Sequence, residues 1–452
     1  MTEVSARSVA LDCLMAVTEE GQFSHTVLNS AREKYAWMAP EDRAFFGRLV
    51  HGSLERLIQL DWALDHCSSV KTKKMKPVIR NILRLSVYQL LFLDRVPAHA
   101  VTNEAVRLTE KRGLRGLKGF VNAVLRRIAQ ERESLLAALS GHAELGLRRA
   151  CPAWIAARLE GQYGSALAEQ ILTAFLAPRG LSVHVNRTAL EKDGVQFPEK
   201  GREKLWKRSA CCPDIYSTEA AEGAAALSYI ESGVVFVQDL SSALAVMAAA
   251  PAAGERVIDL CAAPGGKSLA AADLMRGAGE IRSFDISERK LALVRENAAR
   301  CGFAGIIHPE LWDAEALKPE LVGEADLVIA DLPCSGLGVL GGKPDIKLRL
   351  KEESIAELAA LQRRFLKNAV AYVKPGGRLL FSTCTITEEE NQENRRWLLA
   401  EYPELGPVDL RDRLAALKGI PGADTLAEGW MQLLPGALPC DGFFFSVFQK
   451  AR

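Results

Sequence analysis

The sequence predicts an α/β domain on a parallel sheet, preceded by an all-α domain and a small α/β region. Three observations predict this. From Val234 onward, apolar strand-like runs alternate with helical patterns, as parallel sheets with crossover helices require. Before about residue 140, apolar residues recur at helical spacing and no stretch reads as a convincing strand. Between them, short segments of both kinds mix. The expected domains are 1–140, 141–230 and 231–452.

The whole chain sets the bounds. At 452 residues and 48% apolar it has enough material for two or three cores. Its net charge is only +1, yet residues 71–127 hold 14 Lys/Arg against 3 Asp/Glu. A basic segment in a neutral chain points to a polyanion surface on one part of the molecule. The start, Met1-Thr-Glu-Val-Ser, lacks a basic segment and an apolar core, and the Ala243–Ala253 run is short and contains Pro251. A soluble, cytoplasmic protein without a membrane is expected. Ten cysteines contain no C-x-x-C pair, and the seven histidines do not cluster near them. That disfavours zinc, so no metal is expected, and suits free thiols in a reducing compartment.

The helical part reads in order. Val9, Ala10, Cys13, Leu14 and Val17 mark a first helix, and Phe45 through Ile58 a second. Pro77 suits the first turn of a helix carrying Val78, Ile79, Ile82, Leu83 and Leu90. Val101–Leu108 and Phe120–Ile128 mark two more, giving a helical bundle. Lys71, Lys73, Lys74 and Lys76 precede one helix; Lys111, Arg112, Arg115 and Lys118 fill a glycine-punctuated loop, with Arg126 and Arg127 beyond it. Such clusters are commonly a solvated surface, but with so few acids nearby in sequence they suit phosphate contact. In the middle region Pro152-Ala-Trp154 starts a helix, Leu181–Arg187 alternates like a strand, and Glu191–Arg202 reads as a loop. His184 reads as an ordinary strand residue, and Arg187 as a candidate backbone contact.

In the last domain strands are expected at 256–260, 281–285, 326–330, 378–382 and 443–448. Helices are expected near 239–250, 267–276, 287–301, 354–373 and 388–400. The organising stretch is Arg256-Val-Ile-Asp259-Leu-Cys261-Ala262-Ala263-Pro264-Gly265-Gly266-Lys267-Ser268: strand, glycine turn, helix start. Such turns aim backbone N–H groups at a ligand. A phosphate loop would need glycine where Cys261 stands, and the G-x-G-x-x-G fingerprint fails because Gly265 and Gly266 are adjacent. Asp285, about 20 residues on at the next strand end, is where an acid receives ribose hydroxyls. A ribose-bearing cofactor without a pyrophosphate fits, and S-adenosyl-L-methionine is one.

Three motifs then carry a resemblance. Cys261–Lys267, Asp331-Leu-Pro-Cys334-Ser-Gly336 and Ser382-Thr-Cys384-Thr385 resemble, in order and spacing, those of the NOL1/NOP2/Sun family of RNA cytosine-5 methyltransferases. The resemblance implies a Rossmann-like S-adenosylmethionine-dependent methyltransferase fold ending on an antiparallel pair, which Asp441–Phe445 suits. Gly119–Arg127 resembles the NusB-like RNA-binding domain attached to a bacterial subgroup that modifies 16S ribosomal RNA. The resemblance therefore implies ribosomal RNA as partner, a single-stranded or loop cytosine as target, and a monomer. It puts Cys261, Ala262, Ala263, Pro264, Gly265, Gly266, Lys267, Asp285, Asp313 and Asp331 around the cofactor, with Asp313 near adenine. One departure stands out: Gly341-Gly342 occupy the place of a basic pair that relatives carry before Lys343-Pro344-Asp345-Ile346-Lys347.

The chemistry suits the residues. Cytosine C5 is a poor nucleophile; a thiolate adding at C6 makes it enamine-like, so it can take a methyl group, after which a base removes the C5 proton and the thiol leaves. Asp331 can hydrogen-bond N3 or the exocyclic amine. Which thiol attacks stays open on the residues alone: a Pro-Cys cysteine, as in DNA methyltransferases, would be Cys334, whereas the resemblance to the RNA family selects Cys384 and leaves product release to Cys334. A non-catalytic RNA-binding factor and a redox protein with a Cys334–Cys384 disulfide are the competing readings.

Overall fold

The computed structural model describes residues 4–198, 201, 203–218 and 226–452. The chain forms two compact units, Met1–Leu176 with Leu340–Leu350, and Ala177–Val339 with Lys351–Arg452.

The first unit is helical among its described residues. Its principal helices are Ala6–Thr18, Ser24–Lys34, Pro40–Glu55, Leu57–Cys67, Pro77–Phe92, Ala98–Lys111 and Lys118–Gln130, followed by Arg132–Ser140, Ala153–Tyr163 and Ser165–Phe175. Pro40 and Pro77 both occupy a first turn, where the missing N–H costs nothing. The expected helix through Phe45 and Ile58 is two helices broken at Arg56, whose ψ of 6° leaves the helical basin. Apolar spacing does not register the break because Leu54 and Leu57 are buried on either side of it. Val9, Leu14, Phe46, Leu49, Ile82, Leu83, Val121 and Leu125 share one core.

The short segment 340–350 completes this unit. Asp345 accepts from Ser24 N (3.3 Å) and Ser24 Oγ (2.6 Å), supplying the anionic cap that helix Ser24–Lys34 lacks at Phe23. Burial would raise the Asp345 carboxyl, but Ser24 and Arg349 hold it below its usual range. Lys347 Nζ donates to Glu55 O (2.8 Å) and Ala150 O (2.9 Å), so its ammonium is committed to protein carbonyls.

The second unit holds two sheets. The smaller is antiparallel, in order β2-β3-β1-β4, from β1 (Leu181–Val185), β2 (Lys207–Arg208), β3 (Ile215–Thr218) and β4 (Val235–Val237). The expected loop from Glu191 begins instead as the end of helix Arg187–Asp193. Asn186 caps that helix by accepting from Ala189 N at 3.0 Å, and Gly194 at φ +63° ends it. Residues 199, 200 and 202 of that stretch lie outside the described residues.

The larger sheet has eight strands: β5 (Arg256–Asp259), β6 (Glu280–Asp285), β7 (Ile307–Leu311), β8 (Ala325–Asp331), β9 (Val373–Thr383), β10 (Leu405–Pro407), β11 (Trp430–Leu433) and β12 (Phe443–Lys450). Their order is β10-β12-β9-β8-β5-β6-β7, with β11 on β12. Strands β5 to β9 pair in parallel, and β12 runs antiparallel to β9. Alternation divides the core between two faces: Val257, Leu327, Ile329, Leu380, Phe445 and Val447 on one, Ile258, Val328, Ala330, Phe381, Phe444 and Phe448 on the other. Strands β10 and β11, unforeseen from the sequence, are short and lie at the sheet's rim. The helix expected from 388 begins at Gln392, because Glu390 and Asn391 turn buried side chains inward instead.

Candidate active site

The parallel strands end together on one edge. Register pairs Asp331, last in β8, with Ser382 in β9. Cys334 lies three residues beyond one strand and Cys384 one residue beyond the other. Their sulfurs are 3.4 Å apart, and none of the ten cysteines forms a disulfide. The contact to Cys384 and burial, together with the charge of Glu390, push the Cys334 thiol well above its usual range.

Asp331 is clamped on both oxygens. Ser382 Oγ donates to Oδ1 at 2.8 Å and Lys267 Nζ to Oδ2 at 2.5 Å. The lysine is nearly buried, its ammonium 4.9 Å from the centre of the Phe443 ring. Lys267 stands in the first turn of helix Gly266–Leu274 and pairs with Asp331.

Backbone packing holds the two thiol turns together. Gly338 N donates to Cys384 O (3.1 Å) and Gly442 N to Gly338 O (2.9 Å). A Cβ on Gly338 would stand 2.0 Å from Gly442 O, so only glycine allows three segments to meet there.

The 261–267 turn and its surroundings fit a cationic, ribose-bearing cofactor. Gly265 has φ +105°, leaving the backbone open at the helix start. Gln238 links this turn to β1: its Oε1 accepts from His184 Nδ1 (2.7 Å) and its Nε2 donates to Gly266 O (3.0 Å). His184 stacks on Phe236 and is buried, the strand residue expected, and Arg187 pairs with Asp214. Asp259, Asp331 and Asp285 all act, after burial, to push the Cys261 thiol up, which places three acids around one point. Asp259 Oδ1 is buried without a hydrogen-bond partner, and burial raises its carboxyl to about 7. A positive sulfonium complements such a cluster. Asp285 accepts from Ser287 N at 3.0 Å. Asp313, two residues past β7, is exposed and accepts from Glu315 N at 2.9 Å, while Trp312 N donates to Asp285 O.

Sequence reasoning missed the polar residues behind the thiols: Gln362, Thr387, Glu390, Asn391 and Asn394, all buried. The available signal was Thr387-x-x-Glu390, a capping-box spacing just ahead of a helix. No group of three His, Cys, Asp or Glu arranged for a metal occurs among the described residues, and no described helix is long and apolar enough to cross a membrane.

In the helical unit the basic residues are less unopposed than their local sequence implies. Arg112 meets Asp12 (2.5 Å), Lys118 meets Glu110 (3.2 Å), and Arg127 meets Glu131 (2.8 Å). Lys73, Lys74, Lys76 and Arg126 remain exposed. An open groove of about 790 Å³ is lined by His99, Asn103, Arg107, Lys118 and Asn122, with Glu104 on Arg107.

Known proteins share this architecture. Residues 246–449 match the family described as 16S rRNA methyltransferase RsmB/F, and residues 4–130 match the NusB family. The chain is 33% identical to a probable ribosomal RNA small subunit methyltransferase B of Bacillus subtilis, over all of both chains. It is 30% identical to the ribosomal RNA small subunit methyltransferase B of Citrobacter koseri, again over all of both. The crystal structure of PH0851 superposes with a TM-score of 0.78 at 26% identity, over 99% of each chain.

Proposed function

Because this chain belongs to the RsmB/F family of 16S rRNA methyltransferases, with a NusB domain at its N-terminus, we infer that Cys384 is its nucleophile. The enzyme forms 5-methylcytosine in 16S ribosomal RNA with S-adenosylmethionine as methyl donor. The observation that carries the residue assignment is the pair of strand-end thiols 3.4 Å apart, next to a carboxylate clamped by Lys267 and Ser382.

A free cysteine is only ~3% thiolate at pH 7, so activation matters. Cys334, its own thiol held protonated, supplies an S–H donor to a Cys384 thiolate. Cys384 then attacks C6 of a cytosine extruded from its stack. Asp331, fixed in place by its clamp, accepts from the exocyclic amine of cytosine and orients the ring. The cofactor, when bound, supplies the methyl group. Cys261–Lys267, Asp285 and Asp313 would hold it, and the nearby carboxyl groups would favour its positive charge. Once Cys384 is bonded to carbon, Cys334 loses the sulfur neighbour that raised it and serves as base for the C5 proton.

The three-part division 1–140, 141–230 and 231–452 assigns RNA contact to the first two parts and chemistry to the last. Lys73, Lys74, Lys76, Arg126 and the groove at Arg107 and Lys118 are the phosphate-binding candidates. Lys347 is not among them, since its ammonium is occupied. The protein works as a cytoplasmic monomer.

Tritium release from C5-labelled cytosine in a 16S rRNA fragment tests the assignment. Cys384→Ser abolishes release, by about 10⁴-fold or more as for other deleted nucleophiles. Cys334→Ala leaves a protein–RNA adduct stable on a denaturing gel. Activity retained in Cys384→Ser overturns the reading.

A further inference from the structure

A buried carboxylate stands behind the two thiols, and the reaction as derived does not use it. Glu390 is fully buried and accepts four hydrogen bonds. Ser335 N (2.8 Å) and Gln362 Nε2 (3.1 Å) reach Oε1; Ser335 Oγ (2.5 Å) and Thr387 Oγ1 (2.7 Å) reach Oε2. All four donors are uncharged, so the charge is dispersed entirely through hydrogen bonds. Burial pushes the carboxyl up, and the four donors oppose that rise without cancelling it. Gln362 is itself fixed, donating to Pro333 O (3.0 Å) and accepting from Asn394 Nδ2 (2.8 Å).

This carboxylate ties the two thiol turns to one another. Ser335 follows Cys334 and Thr385 follows Cys384, and their hydroxyl oxygens are 2.6 Å apart. Since Ser335 gives its only hydroxyl proton to Glu390, Thr385 donates to Ser335. The supports are unequal, however. The Cys384 turn has independent anchors: Asn391 Nδ2 donates to Thr385 O (3.1 Å), and Thr383 Oγ1 donates to Asn391 Oδ1 (2.5 Å). The Cys334 turn is also held by Gln362 on Pro333 O (3.0 Å) and by Gly338 on Cys384 O (3.1 Å), but at Ser335, the residue next to the thiol, both the backbone N–H and the hydroxyl depend on Glu390. Removing the carboxylate therefore loosens Cys334 more than Cys384.

We propose that Glu390 is a positioning residue for the release step, acting through Ser335 and Thr385 to hold Cys334 where it reaches the C5 proton of the adduct. This rests on Cys384 as nucleophile and Cys334 as base. In that step Cys334, whose own proton passes to solvent once Cys384 is bonded to carbon, takes the C5 proton as a thiolate, and the C5–H electron pair becomes the C5=C6 double bond. The C6–S bond then breaks, its electrons returning to Cys384 as thiolate. The charge of Glu390 also keeps the Cys334 sulfur basic, which favours taking a proton from carbon.

The test compares Glu390→Ala, Glu390→Gln and Cys334→Ala, using an rRNA fragment and S-adenosylmethionine. Turnover in Glu390→Ala falls about 10²-fold, as for a catalytic group displaced by about 1 Å. At the same time the covalent protein–RNA complex rises above the native level, towards that of Cys334→Ala. Glu390→Gln keeps the side-chain volume and an acceptor for Ser335 N, so it lies between the two and guards against a variant that does not fold. As a second readout, diamide takes two electrons and two protons from the Cys334–Cys384 pair. Peptide mapping follows disulfide formation, which is slower in Glu390→Ala than in the native protein. If adduct and turnover fall together with the folded fraction while Cys334→Ala still traps RNA, Glu390 is only structural and the proposal is overturned. If Cys334→Ala traps nothing, the underlying assignment of the thiols is overturned and this proposal with it.

Discussion

The helical unit carries its basic clusters outside, whereas the α/β unit carries the polar groups of its strand ends inside, and the two arrangements obey different energetics. Arg112–Asp12 and Lys118–Glu110 are exposed pairs in water, where an ion pair contributes about 0–1 kcal/mol. Lys267, Ser382, Ser335, Thr385 and Glu390 are buried near the strand ends, where each unmet donor or acceptor costs about 1–3 kcal/mol. The surface tolerates rearrangement and so can follow an irregular RNA. The interior network does not, and so can hold two sulfurs and a carboxylate at fixed separation. Recognition and chemistry are divided accordingly.

The sharpest way to break this comparison is Lys267→Met, which keeps a long apolar stem but removes the ammonium from Asp331. Methyl transfer to the rRNA fragment falls about 10²–10³-fold, the loss seen when one preorganised charge-stabilising donor is removed. A loss below tenfold would place Lys267 with the surface ions.

The next effect belongs to the helical surface. In a variant with Lys73, Lys74 and Lys76 all changed to Ala, rRNA binding weakens. The slope of log affinity against log salt becomes shallower by about 0.7 for each phosphate that is no longer neutralised. Thermal stability stays put, because these side chains are exposed. An unchanged salt slope would remove this segment from the RNA footprint.

The smallest effect is a change of slope at Asp259. Burial lifts its carboxyl from an ordinary 3.8 to about 7, so between those values the folded protein binds the proton that the unfolded chain has released. Stability from this group therefore falls as pH rises through that window, and the loss is complete above it. Urea unfolding midpoints measured across the window decline less steeply in Asp259→Asn. Parallel curves for the two proteins would show that Asp259 titrates as an ordinary surface acid.

Much of this molecule is legible in its residues. The strand cores at 257–260, 327–330 and 379–381 read correctly because their apolar runs are buried on both faces. The turn at 261–267 reads correctly as strand, glycine turn and helix start, because Gly265 takes a φ of +105° that favours glycine. Helix Pro40–Glu55 and its neighbour merge in the sequence because a break between two buried faces leaves the apolar pattern intact. Strand β7 is missing from the expected strands because His308, Pro309 and Glu310 interrupt the apolar pattern, which an edge position tolerates. Glu390 escapes notice because a glutamate at a helix start normally faces water, and nothing local says that Ser335, fifty-five positions earlier, will receive it.

By itself the amino-acid sequence determined the class of the principal elements, the strand–glycine–helix turn at 261–267, and the three motifs that carry the family resemblance, since each depends on neighbours a few residues away. Tertiary structure alone decided that the two sulfurs stand 3.4 Å apart, that Lys267 neutralises Asp331, that Lys347 is spent on carbonyls, and that a buried glutamate joins the thiol turns. Those facts depend on which strand ends lie side by side, and that order is set by packing both faces of one sheet rather than by any local pattern.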